Sequence, residues 1–209
     1  MIQPNYLKEG NTVAIVSTAR KILKKELIPA ITILKNWGLK IVLGKSIEAE
    51  EHQFAGNDKL RTSDFQAILD HPEIDAVWCA RGGYGTVRII DQLDFSNFKK
   101  HPKWIIGFSD VTVLHSHIHQ LGIETLHAQM PVSIETKSKA TINSIKAILF
   151  GEHYGIRIPA ENNNINGKTS GQLIGGNLSI LYSLCGSPSA LNTKGKILFI
   201  EDLDEYLYH

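Results

Sequence analysis

Cysteine is nearly missing from this chain: its 209 residues hold two, Cys79 and Cys185, and neither stands in a C-x-x-C pair. That sets aside a disulfide framework and a cysteine-based zinc site, and fits a reducing compartment. A surplus of one charge is missing too, since 22 Lys+Arg face 21 Asp+Glu and no run of like charge exceeds two residues. The balance disfavours a disordered tail, a basic nucleic-acid binder and an acidic solvating chain. No apolar run approaches the length that spans a bilayer, and the N-terminus lacks the basic-then-apolar layout of a signal peptide. The expectation is a cytoplasmic globular protein without a membrane or nucleic-acid partner. With 43% hydrophobic residues, it has the material for one large domain or two small ones at about 150 residues per domain.

Short apolar runs alternate with longer amphipathic stretches. The β-branched run 12–17 suits a buried strand. Leu27, Ile28, Ile31, Leu34 and Trp37 then make one face of a helix over 24–37, which Gly38 stops before a strand at 39–43. A helix at 59–69 leads to the nearly uninterrupted apolar strand 74–80, of the kind covered on both faces. A helix at 85–93, a strand at 104–107 and a helix at 111–121 complete a third unit. This rhythm predicts an α/β fold, with an N-terminal parallel sheet flanked by helices.

A helix at 140–149 ends this region, and 1–150 is expected to form the N-terminal domain. The Asn- and Gly-rich stretch 151–170 reads as a linker. A helix at 177–184 and a strand at 196–200 then open a second α/β or β-rich domain over 171–209. That strand is apolar enough for a sheet interior, yet only nine residues follow it to supply neighbours. About 40 residues is the edge of what folds alone, so the expectation is a chain truncated in its C-terminal domain.

Two Gly-containing turns end consecutive predicted strands, where open parallel sheets bind ligands. They are Ala80-Arg81-Gly82-Gly83-Tyr84-Gly85 and Gly107-Phe108-Ser109-Asp110. The first is neither a dinucleotide nor a phosphate-loop motif, but paired glycines let a backbone N–H approach a substrate oxygen. Ser109 on a sharp strand-to-helix turn has two readings: a nucleophile facing the cleft, or, with Asp110, a cap for the following helix. A serine nucleophile needs a histidine base and a carboxylate to orient it. Glu201, at the end of the 196–200 strand, is a candidate for the carboxylate or else an acid on a solvated loop. His115 and His119 share a helix face but lack the Glu of H-E-x-x-H, so no metal site is assigned. His127 reads as a supporting or packing residue in a loop near the cleft.

In this order, Val13-Ala14-Ile15-Val16-Ser17, Ala80-Arg81-Gly82-Gly83-Tyr84-Gly85, Ile106-Gly107-Phe108-Ser109-Asp110-Val111-Thr112, Gly175-Gly176-Asn177-Leu178 and Leu198-Phe199-Ile200-Glu201-Asp202 resemble the serine LD-carboxypeptidases of the muramoyl-tetrapeptide carboxypeptidase and microcin-immunity type. The resemblance covers essentially the whole chain. It implies a Ser-His-Glu triad with Ser109 as nucleophile and Glu201 as orienter, and an oxyanion hole from the Gly83 and Asp110 amides. It places the catalytic histidine in a Gly-His motif well after Glu201, beyond residue 209. His209 is not in such a motif, so these 209 residues are expected to be inactive alone. The implied activity is removal of terminal D-Ala from muropeptide tetrapeptides in peptidoglycan recycling, by a homodimer needing no metal or organic cofactor. The alternatives are an immunity peptidase cleaving an aminoacyl-nucleotide amide, with Tyr206 and Tyr208 as stacking candidates, and a non-catalytic small-molecule-binding module. Where many relatives read His-Gly-Pro-Met, this chain has His127-Ala128-Gln129-Met130, which bears on specificity rather than on the reaction.

Overall fold

In the computed structural model, which describes residues 1–203 and 206, the first apolar run forms β1 (Thr12–Val16). Its side chains alternate between two cores: Ala14 and Val16 join Val77, Cys79 and Ile105 on one face, while Val13 and Ile15 join Trp78 and Ile106 on the other. This period of two, buried on both faces, is what a central parallel strand requires. After α1 (Ile28–Asn36) come β2 (Lys40–Leu43), α2 (Asp58–Asp70), β3 (Ala76–Cys79), α3 (Ser96–Lys100), β4 (Trp104–Gly107), α4 (Thr112–Gln120) and β5 (Leu126–His127). The five strands pair in parallel in the order β2-β1-β3-β4-β5. Side chains of α2, α3 and α4 fill the first core, and those of α1 and α5 (Lys139–Phe150) fill the second. Because β1 lies between β2 and β3, the chain reverses its winding there, and a crevice opens beyond the C-terminal ends of β1 and β3.

Residues 151–170 are exposed and carry neither helix nor strand. Beyond them, β6 (Leu173–Asn177), α6 (Leu178–Ser183) and β7 (Ile197–Glu201) form a second unit. Strands β6 and β7 are parallel, in register from Leu173 opposite Ile197 to Asn177 opposite Glu201. The neighbour of the last strand therefore precedes it in the chain. The approach is close enough that a Cβ on Gly175 would lie 1.7 Å from the Phe199 carbonyl oxygen, so only glycine fits.

Three expectations change. The helix expected over 24–37 begins with a 3₁₀ turn (Lys24–Leu27), whose three-residue period rotates the apolar stripe and leaves Ile28 58% exposed. Residues 85–93 form two 3₁₀ turns, Thr86–Arg88 and Ile90–Gln92, instead of one helix, because both ends of the Gly85–Thr86 peptide are held by side chains described below. The short β5, β6 and α3 had no readable pattern.

Arg61 belongs to α2, where a charged residue reads as solvent-facing, yet it is fully buried. Its Nη1 donates to the carbonyls of Thr18 at 2.6 Å and Gly85 at 2.9 Å, its Nε to Gly56 at 3.3 Å, and its Nη2 pairs with Asp58. Arg61→Ala is expected to lower unfolding free energy by about 3–5 kcal/mol, since it leaves the buried carbonyls of Thr18, Gly56 and Gly85 without their donor, while Asp58 keeps its pair with Arg88. Lysine should not rescue it, lacking the planar fork that spans several acceptors. Urea unfolding of both variants measures this, and a loss below about 1 kcal/mol would contradict it.

Candidate active site

Three turns meet at the C-terminal edge of the sheet: 17–20 after β1, 80–85 after β3 and 107–111 after β4. At the third, Gly107 has φ 159°, and a Cβ there would lie 2.8 Å from Val111 Cγ2. Phe108 is extended, Ser109 turns left-handed at φ 61°, and a 3₁₀ turn (Ser109–Val111) leads into α4. A non-glycine residue held in that region stores strain, in the manner of a nucleophile elbow. Neither Ser109 nor Asp110 caps this helix, because the turn has no side-chain cap bond. Among the described residues the Ser109 hydroxyl makes no hydrogen bond, and a Cβ built on Gly82 would lie 3.2 Å from Ser109 Oγ. The structure thus brings Ser109 and the Gly82-Gly83 turn together.

Asp110 is almost fully buried. Its Oδ2 accepts from the Thr86 amide at 2.9 Å, while Oδ1 has no partner among the described residues. Burial pushes its acid above the usual carboxylate range, against hydrogen bonds from Thr86 and Gly85. The Thr86 hydroxyl also meets that of Thr18 at 2.8 Å. Asp110 and Arg61 therefore hold the Gly85–Thr86 peptide from opposite sides. Neither the Gly83 nor the Asp110 amide donates to a backbone carbonyl in the turns described.

His115 fastens the strand end that precedes the elbow. Its Nε2 lies 2.9 Å from the Gly107 carbonyl, which also accepts from the Ala128 amide at 3.0 Å, and its Nδ1 lies 2.8 Å from Thr125 Oγ1. A carbonyl only accepts, so Nε2 carries the proton and, in the neutral ring, Nδ1 accepts from Thr125. Burial first, with nearby His127 adding to it, holds the imidazole down at about 4, although the Gly107 bond favours the charged form. An unfolded histidine, near 6.5, binds the proton first. This contribution to stability is therefore complete above about pH 6.5 and lost as pH falls toward about 4, and amounts to about 3 kcal/mol. Wild type should lose most of that additional stability relative to His115→Gln between about pH 7 and about pH 4.5 in urea titrations. Parallel profiles would contradict it.

Glu201 ends β7 opposite Asn177, whose backbone amide donates at 3.0 Å to Thr112 Oγ1 at the start of α4. A short path, Glu201 to Asn177 to Thr112, thus joins the second sheet to the elbow. Glu201 Oε1 is buried without a hydrogen bond and lies 4.0 Å from His127 Nε2, and His127 Nδ1 is also unpartnered among the described residues. Burial, then the neighbouring Asp202, pushes the Glu201 acid up against a hydrogen bond from Asn177, and burial lowers His127. His127 lies on β5, next to β4, rather than in a loop. Asp202 accepts from Asn177 Nδ2 at 2.9 Å and from the Ser179 amide and hydroxyl at 3.0 and 2.7 Å, which ties the end of β7 to α6. His119 Nε2 meets Lys196 Nζ at 2.8 Å. Among the described residues no histidine bonds Ser109, and His209 and Tyr208 lie outside them.

Residues 13–128 match the family model of the LD-carboxypeptidase N-terminal domain, and residues 170–209 match that of its C-terminal domain. The chain belongs to the LD-carboxypeptidase family. It is 38% identical over 213 residues to a Bacillus subtilis protein named "Probable murein peptide carboxypeptidase", covering 99% of this chain and 66% of the relative. It is 31% identical over 208 residues to the murein tetrapeptide carboxypeptidase of Pseudomonas aeruginosa, covering 94% of this chain and 67% of the relative. The chain thus spans about two thirds of these relatives' length. The fold also matches the microcin C7 self-immunity protein MccF, solved as a point mutant in complex with adenosine monophosphate, at a TM-score of 0.84 and 24% identity over 98% of this chain and 72% of that one. Arg61, His115 and Asn177 are the supporting residues that sequence reasoning did not single out as such. Only Asn177 left a signal, in its Gly-Gly-Asn-Leu string.

Proposed function

We propose that the protein acts as a serine carboxypeptidase on murein tetrapeptides, releasing the terminal D-alanine by cleaving the bond that joins it to an L-centre. The observation that carries the reading is Ser109, strained at φ 61° beside Gly82, its hydroxyl without a hydrogen bond among the described residues. Ser109 Oγ attacks the scissile carbonyl carbon while a histidine takes its proton. The Gly83 and Asp110 amides hold the oxyanion. Collapse breaks the C–N bond, and the proton passes from the histidine to the amine of the departing D-alanine. Water, activated by the same base, then hydrolyses the acyl-enzyme. Glu201 orients the base, which we assign to a Gly-His segment following residue 209. The reading carries a cytoplasmic homodimer in peptidoglycan recycling.

Incubating the full-length gene product with a murein tetrapeptide and detecting D-alanine tests it. Release supports the reading. Failure to release D-alanine, with hydrolysis of an aminoacyl-nucleotide amide instead, would replace it with the immunity-type activity.

A further inference from the structure

A carboxypeptidase must recognise a free terminal carboxylate, and none of the residues assigned so far carries a positive charge that meets it. The turn after β1 places one beside the oxyanion amides. A Cβ built on Gly83 would lie 2.6 Å from Arg20 Cδ and 3.0 Å from Arg20 Nε, so the Arg20 stem rests on the Gly83 backbone. Its main chain is fixed: Ser17 Oγ donates to the Arg20 carbonyl at 2.5 Å, the Lys21 amide donates to Gln53 at 3.1 Å, and Arg81 Nη1 donates to the Lys21 carbonyl at 3.1 Å. The neighbouring Lys21 ammonium is engaged by Glu50. Arg20 itself is exposed, and among the described residues its guanidinium has no hydrogen bond, ion pair or aromatic partner.

We propose that Arg20 is a specificity-determining residue that receives the substrate's terminal carboxylate. In a carboxypeptidase substrate that carboxylate lies one residue, about 3.5 Å, beyond the scissile carbonyl. Gly82, against Ser109, and Gly83, against Arg20, are likewise one residue apart. A carbonyl seated at Ser109 thus presents its carboxylate toward the guanidinium. The planar fork pairs both carboxylate oxygens, and the position is the crevice between β1 and β3 where the sheet's winding reverses. Substrates continuing past the D-residue carry no anion at that point and forgo this contact.

The inference rests on the carboxypeptidase reading, and its test separates the two. The full-length gene product is assayed with a tetrapeptide ending in free D-alanine and with the same peptide ending in D-alaninamide. Wild type should prefer the free acid. Arg20→Ala and Arg20→Gln should lower kcat/KM for the acid about 10- to 100-fold, mainly through KM, with the amide changed less than about threefold. Arg20→Lys should fall between. Unchanged melting temperatures show that the variants are folded. If wild type cleaves the acid and the acid-to-amide ratio is the same in Arg20→Ala, the Arg20 assignment is overturned and the carboxypeptidase reading stands. If wild type cleaves neither peptide, both fall.

Discussion

Ser109→Gly is expected to raise the stability of the protein while abolishing its activity. The left-handed backbone at Ser109, φ 61°, costs a residue with a Cβ about 1–2 kcal/mol, and glycine adopts it freely. The extra freedom of an unfolded glycine offsets part of the gain, leaving about 1 kcal/mol, or roughly 2–4 °C in Tm for a chain of this size. Ser109→Ala keeps the Cβ and so the strain, and its Tm should stay near wild type. Both variants lose the hydroxyl proposed as the nucleophile, and kcat should fall about 10⁶-fold in the full-length gene product. The pair separates backbone from hydroxyl: the Tm difference between glycine and alanine reports the elbow, and their shared inactivity reports the nucleophile. A glycine variant that melts below the alanine variant would contradict the strain. Turnover retained by either would remove Ser109 from the mechanism.

The parts of this site that were legible in the chain are those whose signal is local. β1, β3 and β4 are short apolar runs because a parallel sheet buries both faces, so the two turns that end β3 and β4 could be located, and with them Ser109. The left-handed turn itself was not legible, since Gly107-Phe108-Ser109 also suits an ordinary helix start. Arg61 could not be read as buried, because its partners are the carbonyls of Thr18, Gly56 and Gly85 from three separate loops. β6 was hidden by composition: Gly175 and Gly176 depress strand propensity, although a glycine there is what lets β7 approach. His127 meets Glu201 only through the register of a two-residue strand beside β4, which no spacing in the sequence encodes.

Glu201→Ala should lower kcat about 10⁴-fold in the full-length gene product with KM changed by less than about threefold, the signature of a contact made in the transition state. Its Oε1 is buried and, among the described residues, without a hydrogen bond, 4.0 Å from His127 Nε2, and burial and Asp202 push its acid upward. A carboxylate kept short of partners is poorly stabilised at rest and gains most when an imidazolium forms beside it. A raised acid is a stability statement as well: its contribution is present at low pH and is lost as pH rises through the folded value. Glu201→Gln should therefore be at least as stable as wild type at neutral pH, yet as inactive as the alanine variant, because an amide cannot balance the imidazolium charge. A stable and inactive Gln variant separates the orienting role from a structural one. The placement of His127 supplies the competing assignment. If His127→Ala lost as much kcat as Glu201→Ala while the Gly-His segment proved dispensable, the base would be the β5 histidine and the triad would close within Ser109, His127 and Glu201. The expected result is the opposite, since His127 makes no hydrogen bond to Ser109 and stands 4.0 Å from Glu201 without a hydrogen bond to it, and burial lowers its basicity, which weakens it as an acceptor of the serine proton.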